Sequence, residues 1–136
     1  MINSLSHISI STKNLNKVEK FYINNLGFKK VHEFVNKKGK IYGFFLYAGN
    51  KTFIEFFYSK NKLNKLKLDT SLRHICFTTN NIYLLKKKLI KFDKKIKIIR
   101  GKTDNVIQFF TKDFENNIIE FHQYDKKSKF YSYFKK

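Results

Sequence analysis

The sequence predicts an α+β fold made of two tandem βαβββ modules, and two observations support this prediction. Residues 5–15 (LSHISISTKNL) and residues 72–82 (LRHICFTTNNI) repeat one pattern, with His7 and His74 in the same place. Each half also ends on the same tripeptide, Ile-Glu-Phe, which contains Glu55 in the first half and Glu120 in the second. The histidines are 67 residues apart in a chain of 136, so the pattern indicates one duplicated unit rather than a solenoid.

The first half begins with alternating residues that predict a strand at 6–11. Asn14 then stands where a helix N-cap is favoured, ahead of apolar residues at helical spacing. Gly27 suits the left-handed conformation that ends many helices. Three strand-like runs complete this half, at residues 30–34, 42–48 and 52–58.

The second half repeats this order, with a strand at 73–78 and a helix that begins after Asn81. Three further strands are predicted at residues 95–100, 106–111 and 118–124. We therefore expect one domain over residues 1–136. It comprises a first module at about 3–60, a second at about 70–125, and a basic and aromatic tail at 126–136.

The repeated histidines and glutamates predict a metal site. Strand alternation places Glu55 and Glu120 among large apolar residues, where a carboxylate needs a cation or a hydrogen-bond partner. Two imidazoles and two carboxylates suit a borderline divalent ion such as Ni, Zn, Co, Fe or Mn. Four protein ligands leave two octahedral positions for water or substrate, which is typical of a catalytic site. The predicted ligands are His7, Glu55, His74 and Glu120.

Other interpretations of the single residues stay open. Taken alone, each histidine is a satisfied strand residue and each glutamate an edge-strand charge. His122, on the same strand face as Glu120, is either a hydrated strand-end histidine or a contact to a ligand or substrate. Cys76 is predicted to be a small core residue rather than a reactive thiol.

The net charge of +19 is weak support for a nucleic-acid partner. The abundant residues have A/T-rich codons, and arginine, which reads phosphates and bases with its bidentate fork, occurs only as Arg73 and Arg100. Nucleic acid is therefore not expected as a partner. The tail at 126–136 is expected to be a solvated or partner-packed terminus, and an adhesive segment for nucleic acid or membrane is the alternative.

We expect a cytoplasmic location. No apolar run is long enough to span a membrane, and the N-terminus lacks the pattern of a signal peptide. The single cysteine, Cys76, forms no internal disulfide, which fits a reducing compartment.

Several motifs in order resemble one known superfamily. They are HISIS with Asn-Leu two residues later, FYxxxLGF at 21–28, FIEF at 53–56, LRHICF at 72–77 and FFTKDFENNIIEF at 109–121. The last is similar to a D-P-D-G-N-x-I-E ending, with Asn116 in place of glycine; asparagine tolerates the same left-handed turn. Over residues 5–124 the chain resembles the vicinal oxygen chelate superfamily, which contains glyoxalase I, bleomycin-resistance proteins and extradiol dioxygenases.

This resemblance implies a curved mixed β-sheet around a metal site, with the helices outside. The full set of four ligands is most similar to glyoxalase I, the lactoylglutathione lyase. By resemblance, Glu120 is the catalytic base and Glu55 a ligand that shares the role. The implied substrate is a small carbonyl compound or thiohemiacetal, converted through an enediolate, and the implied assembly is a homodimer.

The resemblance leaves alternatives for the substrate and the activity. The strand FIEFFYSKNKLNKLKL lacks the asparagine-containing turn of glyoxalases, which favours another thiol adduct, an α-hydroxy carbonyl or a phosphorylated molecule over glutathione. Another enzyme of the superfamily, such as an epimerase, dioxygenase or thiol transferase, is a second possibility. A third is a drug-sequestering protein of the bleomycin-resistance type, with aromatic walls drawn from Phe44, Phe45, Tyr47, Phe53, Phe57 and Phe109.

Overall fold

The computed structural model describes residues 2–64 and 69–134. The chain forms two compact units, residues 1–64 and 65–136, one for each half of the repeat. Met1, residues 65–68 and the last two lysines of the predicted tail lie outside the described residues.

The first module contains a four-stranded mixed sheet and one helix. Its strand order is β1-β4-β3-β2, in which β1 and β4 are parallel and the other pairs are antiparallel. The helix α1 continues directly as a π-helical segment. The elements are β1 (His7–Thr12), α1 (Leu15–Val18), the π-helical segment (Glu19–Asn25), β2 (Lys29–Val35), β3 (Ile41–Gly49) and β4 (Thr52–Tyr58).

The second module has the same topology, with strand order β5-β8-β7-β6 and a parallel pair between β5 and β8. Its elements are β5 (Ile75–Thr78), α2 (Ile82–Leu89), β6 (Ile99–Arg100), β7 (Ile107–Lys112) and β8 (Ile118–Gln123). A 3-10 turn, Tyr131–Tyr133, lies within the described part of the tail. The two sheets confirm the predicted α+β class and the two βαβββ modules.

The predicted caps and turns have the expected geometry. Asn14 Oδ1 accepts a hydrogen bond of 3.0 Å from the Lys17 amide, and Asn81 Oδ1 accepts one of 2.9 Å from the Leu84 amide. Gly27 has φ of +79° after the first helix, and Asn116 has φ of +65° in the turn between β7 and β8. Asparagine can therefore stand where the superfamily motif has glycine.

Strand β6 is shorter than the predicted run at 95–100. The Asp93 carboxylate accepts a hydrogen bond of 3.0 Å from the Lys95 amide, which holds the start of this run in a turn. Ile96 is nonetheless buried. The alternating lysine and isoleucine residues therefore belong to a loop that buries one apolar side chain, rather than to a long strand.

Each sheet packs one face against its own helix and forms a core there. In the first module, the rings of Tyr22 and Phe56 are 5.0 Å apart across this contact. Phe44 and Phe109 are 1% and 0% exposed and belong to these cores, so the prediction that they line a ligand pocket is wrong. The reason is strand alternation, which turns adjacent residues of a strand to opposite faces of the sheet. We call the face that points away from the helix the distal face of each module.

Gly43 lies on the distal face of β3, where the backbone approaches its neighbours closely. A Cβ atom at this position would lie 2.5 Å from Phe57 Cδ1 and 2.6 Å from the Phe56 carbonyl oxygen. We therefore expect Gly43→Ala to lower the free energy of unfolding by about 1–3 kcal/mol in urea denaturation. Ser11→Ala, at an exposed position on the same module, is the control and should change it by less than about 0.5 kcal/mol. Equal stability of Gly43→Ala and the parent would contradict this packing.

Most of the described tail residues are exposed, as expected for a solvated terminus, but the start of the tail is bonded to its own module. The Lys129 amide donates a hydrogen bond of 2.9 Å to the Asp104 carbonyl oxygen. Arg100 Nη2 lies 2.7 Å from Asp125 Oδ2, and this contact lowers the pKa of Asp125 to about 2. Backbone and charged contacts therefore hold residues 125–129 on the loop that precedes β7.

Among residues 2–64 and 69–134, no helix has the length and apolar character that a membrane span requires.

Candidate metal centre

In the first module, strand register brings His7 and Glu55 to one face. Ser9 of β1 is paired with Glu55 of β4, and His7 precedes Ser9 by two residues. Since every second residue of a strand points the same way, His7 and Glu55 lie diagonally opposite on the distal face. His7 is exposed and Glu55 is half-buried.

The second module places His74 and Glu120 in the same relation. Cys76 of β5 is paired with Glu120 of β8, and His74 precedes Cys76 by two residues. Here the two side chains are in contact, with His74 Nε2 at 2.9 Å from Glu120 Oε2. The duplicated sequence pattern therefore corresponds to a duplicated pairing of side chains within the modules.

Glu120 is 7% exposed and its carboxylate is surrounded by histidines. Burial acts to raise the pKa of Glu120, but the contacts of its carboxylate with His122 and, more weakly, with His74 outweigh it and lower the pKa below its ordinary value. Glu120 is therefore ionised at neutral pH and can serve as a ligand or as a base.

A phenylalanine accompanies each pair, and sequence reasoning did not assign it this place. Phe45 is paired with Glu55 across β3 and β4, and its ring is edge-on to His7 at 5.4 Å. Phe110 is paired with Glu120 and is edge-on to His74 at 5.6 Å. The signal in the sequence is a Phe-Phe doublet whose second residue stands ten positions before each glutamate.

His122 contacts the other oxygen of Glu120. Its Nε2 lies 2.9 Å from Glu120 Oε1, although the ring N–H is not aligned for a hydrogen bond. On its other side, Nδ1 lies 3.1 Å from the Tyr124 hydroxyl. Among the described residues, two buried side-chain atoms lack a hydrogen-bond partner, and both are ring nitrogens: His122 Nε2 and His74 Nδ1.

Cys76 is exposed and lies on the distal face, so the prediction that it is a core residue is wrong. Its strand packs the opposite face toward the helix, which leaves alternate residues uncovered within the module. Desolvation of the thiol and the negative charge of Glu120 raise the pKa of Cys76 well above its usual range. The thiol is therefore protonated at neutral pH and is a weak nucleophile.

The second module also brings together a donor set that the sequence did not predict. The ligand atoms of Cys76, Glu120 and His122 lie within 4.8 Å of one another. The second module therefore contains two alternative donor sets for a cation. One is Glu120 with His74, and the other is Glu120 with Cys76 and His122.

Aromatic rings cover much of the first module's distal face around Glu55. Phe34 lies 4.9 Å from Phe57, and Tyr42 stacks on Phe57 at 5.9 Å. Strand register places four of the predicted pocket residues on this face together with Phe34, and ring contacts with Phe34 and Phe57 add Tyr42; the sequence interpretation missed Phe34 and Tyr42. The four are Phe45, Tyr47, Phe53 and Phe57.

A cavity in the second module opens beside Phe110 and Ile118. Its lining contains charges of both signs, with Lys94, Lys95 and Lys112 beside Asp93 and Asp113.

Residues 4–121 match the family model described as Glyoxalase/Bleomycin resistance protein/Dioxygenase superfamily. No curated protein sequence matches the chain. Among solved structures, the glyoxalase family protein from Enterococcus faecalis is similar, with a TM-score of 0.69 and 22% identity over 88% of this chain and 96% of that one.

The fosfomycin resistance protein FosX from Listeria monocytogenes is also similar in fold. One of its structures has a TM-score of 0.71 and 18% identity over 95% of this chain and 99% of that chain. A variant of that protein, complexed with Mn(II) and 1S,2S-dihydroxypropylphosphonic acid, has a TM-score of 0.65 and 22% identity, over 90% of this chain and 93% of that one.

Proposed function

Because the chain belongs to the Glyoxalase/Bleomycin resistance protein/Dioxygenase superfamily, we propose that it is a metal-dependent enzyme of the glyoxalase I type. In this proposal one divalent ion is held by His7, Glu55, His74 and Glu120. The observation that carries it is the matched strand register of the two His and Glu pairs, which gives each module one imidazole and one carboxylate on its distal face.

The side chains of the second module fit an ion. Two adjacent ligand atoms on a six-coordinate ion are about 3 Å apart when each bond is about 2.1 Å long, and His74 Nε2 and Glu120 Oε2 are separated by 2.9 Å. Glu120 is ionised although it is buried, as a ligand must be. The combination of imidazole and carboxylate donors suits Ni, Zn, Co, Fe or Mn.

In the proposed reaction, the residues of the chain move one proton beside a carbonyl group. When bound, the ion supplies Lewis-acid polarisation of the substrate oxygens. Glu120 takes a proton from carbon and returns it to the neighbouring carbon, and Glu55 shares this role. Phe53 and Phe57 provide apolar surface for the body of a small carbonyl or thiohemiacetal substrate.

Two other functions are compatible with the structure and the family. The aromatic distal face of the first module suits a protein that sequesters a flat drug molecule without converting it. Membership of the superfamily is equally compatible with another of its reactions, such as that of a thiol transferase, an epimerase or a dioxygenase. We further propose a cytoplasmic homodimer, which sedimentation velocity would test.

The deciding experiment is metal analysis of the purified protein by mass spectrometry, combined with assays of methylglyoxal conversion by the Ni-, Co- and Zn-loaded forms. Glutathione and other thiols would be compared as cosubstrates. We expect about one ion per chain and turnover that depends on it. Cys76→Ser should leave metal content unchanged, because Cys76 belongs only to the alternative donor set. If no divalent ion binds, the enzyme proposal fails and the sequestering protein becomes the better interpretation.

A further inference from the structure

A series of contacts runs from the tail to Glu120. The ring of Phe134 stacks on Tyr124, with centroids 3.8 Å apart and planes at 13°. The Tyr124 hydroxyl lies 3.1 Å from His122 Nδ1, and His122 Nε2 lies 2.9 Å from Glu120 Oε1. The tail therefore reaches the proposed metal ligand through two side chains.

The protonation of Tyr124 indicates which group donates the hydrogen bond between Tyr124 and His122. Burial, and after it the negative charges of Asp104 and Glu120, raise the pKa of Tyr124, so its hydroxyl keeps its proton at neutral pH. A protonated hydroxyl can donate to His122 Nδ1, and a neutral imidazole that accepts at Nδ1 carries its proton on Nε2. This is the nitrogen that faces the Glu120 carboxylate, where an N–H dipole is electrostatically favourable although the bond is not aligned.

We propose that Tyr124 is a positioning residue that fixes the tautomer of His122. The Nε2–H of His122 then faces Oε1 of Glu120 at 2.9 Å, while Oε2 lies 2.9 Å from His74 Nε2. The effect on metal binding rests on the proposed function, whereas the tautomer of His122 does not depend on it. Outer partners of this kind orient a ligand and raise its affinity for the ion.

The tail gives Tyr124 a fixed place. Ser128 and Lys129 are bonded to the loop at Asn105 and Asp104, which brings the chain back along the module toward Phe134. Stacking on Phe134 then limits rotation of the Tyr124 ring. The aromatic residues of the tail thus have a structural role that requires no nucleic acid or membrane.

The first module lacks this support. Strand pairing places Phe57 two residues after Glu55, at the position that His122 has after Glu120. Phenylalanine has no hydrogen-bonding group, so nothing equivalent orients Glu55 from that side. The two carboxylates are therefore different, and the oriented one, Glu120, is the better placed to act as the base.

The test uses Tyr124→Phe, which keeps the ring and removes the hydroxyl, together with Phe134→Ala. Tyr133→Ala is the control, because Tyr133 is a neighbouring tail aromatic that is 85% exposed. Nitrogen-15 NMR of the metal-free protein would report which ring nitrogen of His122 is protonated. Titration with Co²⁺, followed by its visible absorption, would report metal affinity in the same variants.

We expect the parent to carry the His122 proton on Nε2 and Tyr124→Phe to carry a measurably larger share of it on Nδ1, although Glu120 still favours Nε2. Co²⁺ affinity should fall about 10-fold in Tyr124→Phe, less in Phe134→Ala, and not at all in Tyr133→Ala. In turnover assays of Tyr124→Phe, the fold decrease in kcat should exceed the fold change in KM. If Phe134→Ala does not fold, Tyr124→Phe alone decides the result.

An unchanged His122 tautomer in Tyr124→Phe would overturn the proposal. A changed tautomer with unchanged Co²⁺ affinity would overturn the positioning of Glu120. If the tautomer changes as expected but the parent binds no Co²⁺, the contact between Tyr124 and His122 is supported and the proposed function fails.

Discussion

Glu120→Gln is expected to reduce kcat/KM of the metal-loaded protein by about 100- to 10,000-fold, the range typical of lost general acid–base catalysis. An amide cannot accept the proton, and it removes a negative charge that faces both His74 and His122. Metal affinity should fall as well, because the amide is a poorer ligand than a carboxylate. Steady-state kinetics with each metal and a competition titration against a coloured chelator would measure the two effects.

Glu115→Gln is the matched control, because it makes the same chemical change in the turn that precedes β8. It should leave both metal affinity and turnover near those of the parent. Glu55→Gln separates the two proposed roles, since a ligand that only shares the base function should lose affinity more than kcat. If Glu120→Gln binds metal and turns over as well as the parent, the role assigned to Glu120 is wrong.

His7→Gln and His74→Gln are expected to weaken metal binding by similar factors, each by about 100-fold or more. The reason is that a site of four ligands with an apparent binding free energy of about 10–16 kcal/mol loses roughly a quarter of it with each ligand. Competition titration with Zn²⁺ would measure both variants. His32→Gln is the control, since His32 is an exposed histidine on β2 outside the proposed ligand set. A loss confined to His74→Gln would favour a site within the second module alone.

Mixing these two variants would show how the ligands are shared. If His7 and Glu55 of one subunit meet His74 and Glu120 of its partner, a mixed dimer of His7→Gln and His74→Gln contains one intact site and regains up to half of the activity. If all four ligands come from one chain, the mixture remains inactive. Regain of activity would at the same time support the proposed homodimer.

Much of the fold could be predicted because the signals are local. Asn14 and Asn81 cap their helices with their own side chains, and Asn116 adopts its left-handed conformation within a single turn. Alternation of polar and apolar residues likewise predicted seven of the eight strands closely. Strand β6 was overestimated because Asp93 forms a turn and Ile96 is buried from a loop, and neither effect is visible in the alternation.

The candidate metal site likewise combines features that the sequence predicted with features that it did not. The repeat singled out both histidine and glutamate pairs, because duplication leaves the same residue types at the same spacing. Sequence alone did not separate Phe44 from Phe45, although the first is core and the second lies opposite Glu55. It misplaced Cys76 for a related reason, since the face that a helix covers depends on how the chain returns over its sheet.

The sequence by itself therefore determined the modules, their order of elements and the four residues that we propose as ligands, all of which depend on neighbours along the chain. Only the tertiary structure decided that Glu120 lies between His74 and His122, and that the tail reaches His122 through Tyr124. The physical reason is that contacts between strands depend on register and on packing of distant segments. Phe134 and Glu120 are 14 residues apart in sequence, and two intervening side chains link them in the folded module.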